Sequence, residues 1–542
     1  MQLTFPDRAT TALRALLVLT LGLGAVYYIR FSLHWPLLLD SPVMHYVRFL
    51  MDHGMRPYRE ITDNNMPGAY ITEGWAMSLF GGTDFGWRLY DFTLLGVLTL
   101  AMVVIAWPVD WLAGIYAGGL FTLVHASEGP FYAGQREQLM ATLLMVSCAL
   151  LFLSVRRHLP PLMFLVGFLS AMAASIKPTI SPVALFLVLA AAFVLHRRRL
   201  PVRASLLYGS GGLLLALLLN IGFLVRYHAV QPFLFILHTI TPAYISLNRP
   251  GFGFLTRHLV PGNLLVLIGL AAVVLLLRRH WDWERGVLAV AAAAGILSFY
   301  IQQKGFLHHR YLFLVFILLL TAMELTPAAR SRGLLRALGL AGILFTIVLS
   351  VPHYLSLLRN TSPHRELTPT LEADLESLGG QQLQHQVQCF DLIFGCLNSL
   401  YHLGLVENTG YTGDLLLFAE KPNVATDFYR TMFQALDAQH PASVYVVTNN
   451  WFGHSSSFDR LNNWPQFASY LHDHFTLVRT RTFPLEDRNA PSSDPMQEPY
   501  TYRIYVRNGS PVLQLAAHAC AAEPSTGRAG SCSPPPGSSS QP

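Results

Sequence analysis

The sequence predicts a polytopic α-helical membrane protein that carries a small α/β domain at its carboxyl end. Hydrophobic residues make up 52% of its 542 residues and charged residues only 13%, whereas a globular chain has about 25% charged residues. Long apolar runs without an interior charge recur up to residue 352, and a membrane span needs roughly 20 apolar residues. Beyond that point the composition becomes that of a soluble domain.

The apolar runs predict about eleven spans. The first run is followed by YYIRFSLHW and not by a small-residue cleavage site, so we interpret it as a retained span rather than a signal peptide. The third, fifth and sixth spans are the shortest. The predicted spans cover residues 11–31, 87–107, 111–126, 137–155, 161–176, 179–196, 204–225, 261–278, 286–302, 310–327 and 334–352.

Arginine residues cluster on alternate loops between these spans, and this pattern decides the predicted orientation. We expect the amino terminus and the arginine-rich loops on the cytoplasmic side of a bacterial inner membrane. The net charge of +6 therefore reflects topology and does not indicate nucleic-acid binding. The opposite, extracytoplasmic side receives the loops 32–86 and 226–260, three short turns and the whole region from His353.

The first outer loop is long and predicts two helices at the membrane surface. Apolar residues recur at helical spacing from Val43 to Met51 in DSPVMHYVRFLMDHGMRPY, which is typical of an interfacial helix. The stretch NMPGAYITEGWAMSLFGG predicts a second surface or re-entrant helix, which begins near Pro67 and ends at Gly81.

The region from residue 353 to 515 predicts a small extracytoplasmic α/β domain. VQCFD, SVYVVTN and YRIYVRN have the pattern of strands, and PQFASYLHDHF has that of a helix between two of them. Cys389 and Cys396 are able to pair if this domain lies outside the cell. The last stretch, 516–542, is low in complexity and predicts disorder. The chain is thus divided into 1–352, 353–515 and 516–542.

The outer loops hold single lysines and arginines where the charge rule predicts few cations, and this indicates an anionic ligand. For any one of them, snorkelling or a headgroup contact is the alternative. Sugar transfer from a polyprenyl-phosphate carrier fits the pattern. The phosphate leaves without prior protonation, so the reaction needs one base for the acceptor hydroxyl and cations for the phosphate. Glycoside hydrolysis, in contrast, normally needs two carboxylates.

Asp40 is the strongest candidate for the base, because it follows the first span at the predicted membrane surface. An aspartate is ordinarily ionised at neutral pH. Its alternative role is to cap the helix that starts directly after it. Asp63 is the second candidate, with a turn or cap as its alternative role. Glu128 and Glu137 flank the second outer turn.

Candidate ligands for the donor phosphate lie in three outer turns. They are Arg136, Lys177, Lys304, His308, His309 and Arg310. Lys177 and Arg310 have the anchoring of a helix end as their alternative role. Adjacent histidines alone are weak evidence for a metal, so no metal and no other cofactor is predicted. The sequence holds no P-loop, GxSxG or dinucleotide fingerprint, which argues against a nucleotide-sugar donor.

A set of motifs supports the hypothesis of sugar transfer from a polyprenyl-phosphate carrier. In chain order they are Asp40 after the first span, GMRPYREITDNNMPGAYITEGWAMSLFG, the arginine of GWRLYD, GQREQLM, SIKP and QQKGFLHHRYLF. Together they resemble the GT-C membrane glycosyltransferases, specifically bacterial relatives of the dolichyl-phosphate-mannose protein mannosyltransferases and the lipid A aminoarabinose transferases. The resemblance covers roughly residues 10–330. TGYTGDLLLF, PASVYVVTNN and YRIYVRN are similar to the soluble extension of some bacterial members.

The resemblance implies an inverting transfer in which the first-loop aspartate, here Asp40, is the catalytic base. A second acidic residue in the next outer loop often shapes the site of such enzymes, and Glu137 is the nearest match, with Arg136 beside it. The chain departs from the family pattern at two positions. Ser41 stands where many members have a glutamate, and Met66 stands in place of the first proline of a pair.

The predicted function is therefore transfer of a sugar from a polyprenyl-phosphate donor to an acceptor hydroxyl at the outer membrane face. The partners are this donor, membrane lipid, and an acceptor glycan, lipid or protein.

An oligosaccharide ligase or polymerase with a diphosphate-linked donor is the first alternative, because the loop 226–260 is rich in arginine and histidine. A transporter is the second, although Asn220 is the main polar residue deep in a late apolar run. Weaker candidates for contacts with sugar or acceptor are Tyr58, Asp63, Asn65 and Glu128.

Overall fold

The computed structural model describes residues 8–198, 201–246, 249–279, 281–361, 367–391, 395–450, 457–483, 499–522 and 530–532. Its helices are α1 (Arg8–Ser32), α2 (Asp40–Asp52), α3 (Pro67–Phe80), α4 (Asp84–Ser127), α5 (Arg136–Arg157), α6 (Leu162–Ile176), α7 (Ser181–Arg197), α8 (Val202–Arg226), α9 (Val230–Phe235), α10 (Thr241–Ser246), α11 (Phe252–Leu259), α12 (Gly262–Arg278), α13 (Trp283–Gln302), α14 (Tyr311–Ala328), α15 (Gly333–Phe345), α16 (Val351–Asn360), α17 (Leu367–Ser377), α18 (Gly395–His402), α19 (Val424–Gln439), α20 (Pro465–His474) and α21 (Pro511–Ala522). Its strands are β1 (Val387–Phe390), β2 (Val444–Thr448), β3 (Phe475–Phe483), β4 (Tyr500–Arg507) and β5 (Gly530–Cys532).

The chain forms two compact units, each built from separate stretches of sequence. The first unit contains residues 1–35, 65–223 and 249–361. The second unit contains residues 36–64, 224–248 and 362–542. The first outer loop, up to residue 64, thus belongs to the same unit as the carboxyl-terminal region.

The first unit has the helices of a multi-pass membrane protein. Within the described ranges, eight helices are long and apolar enough to cross a membrane, and the bent pair of α11 and α12 would make nine. α6 is apolar but shorter. All the predicted spans fall on these apolar helices. A long apolar segment in lipid satisfies the hydrogen bonding of its own backbone groups only as a helix. The exact number of spans stays a prediction.

α4 is 44 residues long and folds back on itself at Asp110, whose φ of −167° and ψ of 109° are not helical. Gly114 lies against the backbone of Val103, since a Cβ on Gly114 would lie 2.3 Å from the Cα of Val103. Gly118 lies in the same way against Thr99. The two halves therefore pack against each other as neighbouring antiparallel helices, which explains why the sequence predicted two spans here.

α14 is the helix that positions the outer turn before it. In the span that begins at Leu307, 83% of the 18-residue apolar stretch is buried inside the protein. α14 packs against α4, α5, α12, α13 and α15. A helix that is apolar all round belongs in the interior of a bundle. The turn Leu307–Arg310, a 3₁₀ turn that leads into this helix, is therefore fixed by a central element.

The second unit is built on a five-stranded sheet in the order β1-β2-β4-β3-β5. β1 and β2 are parallel, and the other neighbouring pairs are antiparallel. The predicted strands and the predicted helix correspond to β1, β2, β4 and α20, whereas β3 and β5 were missed. The mixed sheet with its helices confirms the predicted α/β character of this region.

The first surface helix and the start of the carboxyl-terminal tail, both predicted from the sequence, lie in the second unit. The helix α2 forms where the first surface helix was predicted, and its apolar residues Val43, Tyr46, Val47 and Leu50 are buried, with α18 packed against it. The predicted disordered tail begins at residue 516, but α21 continues to Ala522 and β5 covers 530–532. The rest of the tail lies outside the described residues.

Candidate functional site

Glu137 and Lys177 form the centre of a polar cluster in the first unit. Glu137 lies in the first turn of α5, where a carboxylate interacts favourably with the helix dipole. Lys177 follows the end of α6 in an extended conformation, because the next residue is a proline, which disfavours helical backbone before it. The Lys177 Nζ lies 2.6 Å from Glu137 Oε1. The predicted turns GQREQLM and SIKP thus meet.

His308 and His309 complete this cluster from the turn before α14. Both side chains are buried. Lys177 Nζ lies 3.1 Å from His309 Nε2, and each histidine Nε2 lies 3.7 Å from an oxygen of Glu137. Glu137, Lys177, His308 and His309 are called the Glu137 cluster below.

The Glu137 cluster offers groups that are able to bind a metal ion as well as to form the ion pair between Glu137 and Lys177. One oxygen of Glu137 and one nitrogen each of His308 and His309 lie within 4.8 Å of one another, and a carboxylate with two imidazoles is a donor set that zinc accepts. The ammonium group of Lys177 contacts two of these three residues. The cation of Lys177 and a metal ion would therefore compete for the same carboxylate.

Further positive charge lies beside the Glu137 cluster. Lys304 is half-buried, and burial together with the charges of Arg249 and Lys177 lowers its pKa from 10.5 to about 8. Neighbouring cations repel one another, and a bound anion would relieve this repulsion. Lys304 and Lys177 were predicted for this role, whereas Arg249 lies in the loop 226–260 that suggested the ligase alternative.

Arg310 and Glu128, which were predicted as separate ligands, form an ion pair. Arg310 Nη2 lies 2.6 Å from Glu128 Oε1, and Tyr311 Oη donates to Glu128 Oε2 at 2.5 Å. Arg310 also donates to the carbonyl of His258 at 3.0 Å. The charge of Arg310 is thus balanced inside the protein, as expected if it anchors the start of α14. Its role as a phosphate ligand stays a prediction.

The Arg310–Glu128 pair continues into a buried network that sequence reasoning missed. His125 Nδ1 lies 2.8 Å from Tyr311 Oη, and His125 Nε2 lies 2.9 Å from Asp91 Oδ1. Tyr28 donates to the other oxygen of Asp91 at 2.7 Å. An ionisable residue inside an apolar run is itself a signal of function or of a buried partner. Asp91 and His125, which lie in the two halves of α4, carried this signal.

The candidates of the first outer loop lie in the second unit, except Asn65, which begins the next stretch of the first unit. Asp40 is the first residue of α2, and the N-cap position before it is Leu39, which makes no side-chain capping bond. Asp40 therefore lies in the first turn of α2, and both of its suggested roles, base and helix cap, stay predictions. Tyr58 is buried, and its ring packs on Phe233 at 5.2 Å between centroids.

No protein-family model matches the chain, and no curated protein matches it. The structure is similar to that of ArnT from Cupriavidus metallidurans bound to undecaprenyl phosphate, with a TM-score of 0.56, 13% sequence identity, and coverage of 91% of this chain and 98% of that one. The apo form of ArnT gives a TM-score of 0.54, 13% identity, and 90% and 97% coverage.

The chain has the GT-C membrane glycosyltransferase fold. This likeness extends over nearly the full length of both chains and therefore includes the carboxyl-terminal region. It confirms the fold that the motifs of the sequence implied. At 13% identity it shows the fold alone, and the roles of the individual residues depend on the geometry described above.

Proposed function

We propose that this protein is a glycosyltransferase that moves a sugar from a polyprenyl-phosphate carrier to an acceptor hydroxyl, with inversion at the anomeric carbon. The observation that carries the proposal is the group of cations Lys177, Lys304 and Arg249 beside a buried carboxylate in this fold. The structurally similar ArnT was crystallised with undecaprenyl phosphate, which belongs to the class of lipid carrier that the proposed reaction would release.

In the proposed reaction, Asp40 takes the proton of the acceptor hydroxyl while that oxygen attacks the anomeric carbon. The bond between the sugar and the phosphate oxygen breaks, and the phosphate keeps the electron pair. Lys177, Lys304 and Arg136 stabilise the charge that develops on the phosphate, which is the type of interaction that lowers a transition-state barrier most. Glu137 holds Lys177 in place, since its oxygen lies 2.6 Å from the ammonium nitrogen.

The test compares membranes that contain wild-type protein, Asp40→Asn or Asp52→Asn at matched levels. Asp52 lies at the other end of α2, and its side chain is 53% exposed, so it is a matched control for the same chemical change. Mass spectrometry follows the loss of polyprenyl-phosphate sugars and the appearance of a new glycan. Wild type and Asp52→Asn should consume the donor, and Asp40→Asn should not.

The same experiment separates the proposal from its alternatives. A ligase or polymerase would release polyprenyl diphosphate, whereas the proposed reaction releases polyprenyl monophosphate, and the two lipids differ in mass. A transporter would change the amount of donor on each side of the membrane without forming a glycan. If Asp40→Asn forms the glycan like wild type, Asp40 is not the base.

We also propose that the carboxyl-terminal region lies outside the cytoplasm of a bacterial inner membrane, with the amino terminus inside. Cys389 and Cys396 form a disulfide, and such bonds persist in oxidising compartments. Thiol labelling after denaturation, with and without prior reduction, tests this. Labelling of Cys389 and Cys396 without reduction would contradict the proposed location.

A further inference from the structure

The first outer loop is attached to residues 405–412 of the same compact unit. Tyr46, which is fully buried in α2, donates its hydroxyl proton to the carbonyl of Leu405 at 3.0 Å and accepts from the backbone N–H of Glu407 at 2.8 Å. One side chain of the loop thus satisfies two backbone groups 359 and 361 residues away in sequence.

A second attachment lies later in the loop, at Thr62. The backbone N–H of Thr62 donates to the carbonyl of Gly410 at 2.8 Å, and the hydroxyl of Thr62 donates to the same carbonyl at 3.1 Å. Thr412 donates in return to the carbonyl of Thr62 at 3.3 Å. Thr62 and Tyr411 also form an isolated parallel bridge. Asp63 follows directly after this attachment.

Gly410 permits this approach because it has no side chain. A Cβ at this position would lie 1.9 Å from the carbonyl oxygen of Glu60 and 2.8 Å from the Cα of Ile61. Both are backbone atoms, so the loop would have to move to admit even an alanine. The close contact therefore fixes the distance between the loop and residues 405–412.

Residues 405–412 are in turn held by the sheet of the second unit. The backbone N–H of Asn408 donates to the carbonyl of Val387, the first residue of β1, at 3.0 Å. The side chain of Gln388 donates to Glu407 at 3.1 Å and to the carbonyl of Tyr411 at 3.0 Å. A loop segment bonded to a strand at several points moves little on its own.

We propose that Tyr46 and Gly410 are positioning residues for catalysis. Through them the carboxyl-terminal region holds the loop that carries Asp40 at two points, one after Asp40 in α2 and one at Thr62, so this region sets the position of the base. The proposal rests on the proposed function, because it takes Asp40 as the group that receives the proton. A displacement of a catalytic group by about 1 Å costs roughly a hundredfold in rate.

The experiment compares Tyr46→Phe with Tyr502→Phe in the full-length protein in detergent. Tyr502 is buried to the same degree, and its hydroxyl donates to Asp374 at 2.8 Å, so both variants lose one buried phenol hydroxyl. Only Tyr46 contacts the loop attachment. Gly410→Ala serves as a second variant, which acts by steric clash and removes no hydrogen-bonding group.

Two quantities are measured. Hydrogen exchange followed by mass spectrometry should show faster exchange over residues 40–52 and 405–412 in Tyr46→Phe, and not in Tyr502→Phe. Steady-state kinetics should show kcat reduced about tenfold to a hundredfold in Tyr46→Phe and Gly410→Ala, with KM for the donor unchanged, because the attachment acts on the base and not on the phosphate.

Equal kcat values in Tyr46→Phe and Tyr502→Phe would overturn the proposal, as would a rise in the donor KM without a change in kcat. Failure of the proposed function is a different result, namely a wild-type protein that forms no glycan or an Asp40→Asn variant that forms it normally. In that case hydrogen exchange still decides whether Tyr46 attaches the loop, and the catalytic part of the inference falls.

Discussion

Lys177 and Glu137 form an ion pair of 2.6 Å in which the carboxylate side chain is 2% exposed and the ammonium side chain 30% exposed. Removal of the lysine leaves a buried carboxylate without its counter-ion, which costs about 3–5 kcal/mol of stability. Lys177→Met should therefore lower the thermal midpoint in detergent. Adding Glu137→Gln to it should restore most of the stability, because no buried charge is then left unpaired.

Sugar transfer should not recover in the Lys177→Met/Glu137→Gln double variant, because the cation proposed to bind the phosphate is still missing. Thermal unfolding and donor consumption are measured on the same preparations. Recovery of both stability and transfer would mean that the pair has only a structural role.

We expect Lys304, a proposed ligand of the donor phosphate, to make donor binding dependent on pH. Since its pKa is lowered to about 8 by burial and by the charges of Arg249 and Lys177, the folded protein loses this cation as the pH rises through about 8. The donor KM should increase over that range. Lys304→Arg should remove the increase, because arginine stays charged, and Lys304→Met should give a high KM at all pH values.

The lowered pKa of Lys304 should weaken donor binding as the pH rises, but it should increase the stability of the folded protein. The unfolded chain holds the proton of Lys304 up to about pH 10.4, so between about pH 8 and that value the unfolded state binds more protons than the folded state. The free energy of unfolding therefore increases with pH over this interval. Chemical denaturation at about pH 7.5, below this interval, and at about pH 9.5, within it, for wild type and Lys304→Met measures the difference, which should be absent in the variant.

Variants of the ion pair between Arg310 and Glu128 distinguish two roles of Arg310, the anchoring of α14 and the binding of the donor phosphate. Glu128→Gln leaves a buried guanidinium group unpaired and should destabilise the protein by about 3–5 kcal/mol. Glu128→Gln/Arg310→Met should regain stability. Transfer retained in the double variant would show that Arg310 anchors α14, and transfer lost in a stable double variant would show that it binds the phosphate.

The fold-back of α4 predicts different effects for two glycines of the same helix. Gly114→Ala places a methyl group 2.3 Å from Cα and 2.4 Å from N of Val103 and should destabilise the protein, whereas Gly96 has nothing within 4 Å. Gly96→Ala should be neutral or stabilising by up to about 1 kcal/mol. Thermal unfolding compares the two, and equal midpoints would contradict the antiparallel packing of the two halves of α4.

The spans and the individual residues of the Glu137 cluster were predictable because each depends on local pattern, whereas the contacts between residues of different turns were not. Apolar runs of membrane length form helices wherever they lie, and outer cations such as Lys177 and Lys304 stand out against the charge rule. The partnership of Asp91 with His125 was missed because the two residues lie 34 positions apart in sequence, and no periodicity joins them. The ion pair that balances Arg310 was missed for the same reason.

The attachment of the first outer loop was beyond sequence reasoning, because Thr62 and Gly410 are 348 residues apart and nothing in either stretch identifies the other. The apolar spacing of α2 predicted a face for the membrane surface. In the structure Tyr46 and Val47 on that face are buried within the protein, and periodicity alone does not distinguish a lipid partner from a protein partner.

The separation between Thr62 and Gly410 also has a consequence for the timing of synthesis. A ribosome that adds 5–20 residues per second needs roughly 20 to 70 seconds to pass from one residue to the other, a distance of 348 residues. Throughout that interval the nascent chain already contains Asp40 but not the segment that holds its loop. The proposed sugar transfer should therefore begin only after residues 405–412 have been translated, and chains released earlier by the ribosome should insert into the membrane without transfer activity.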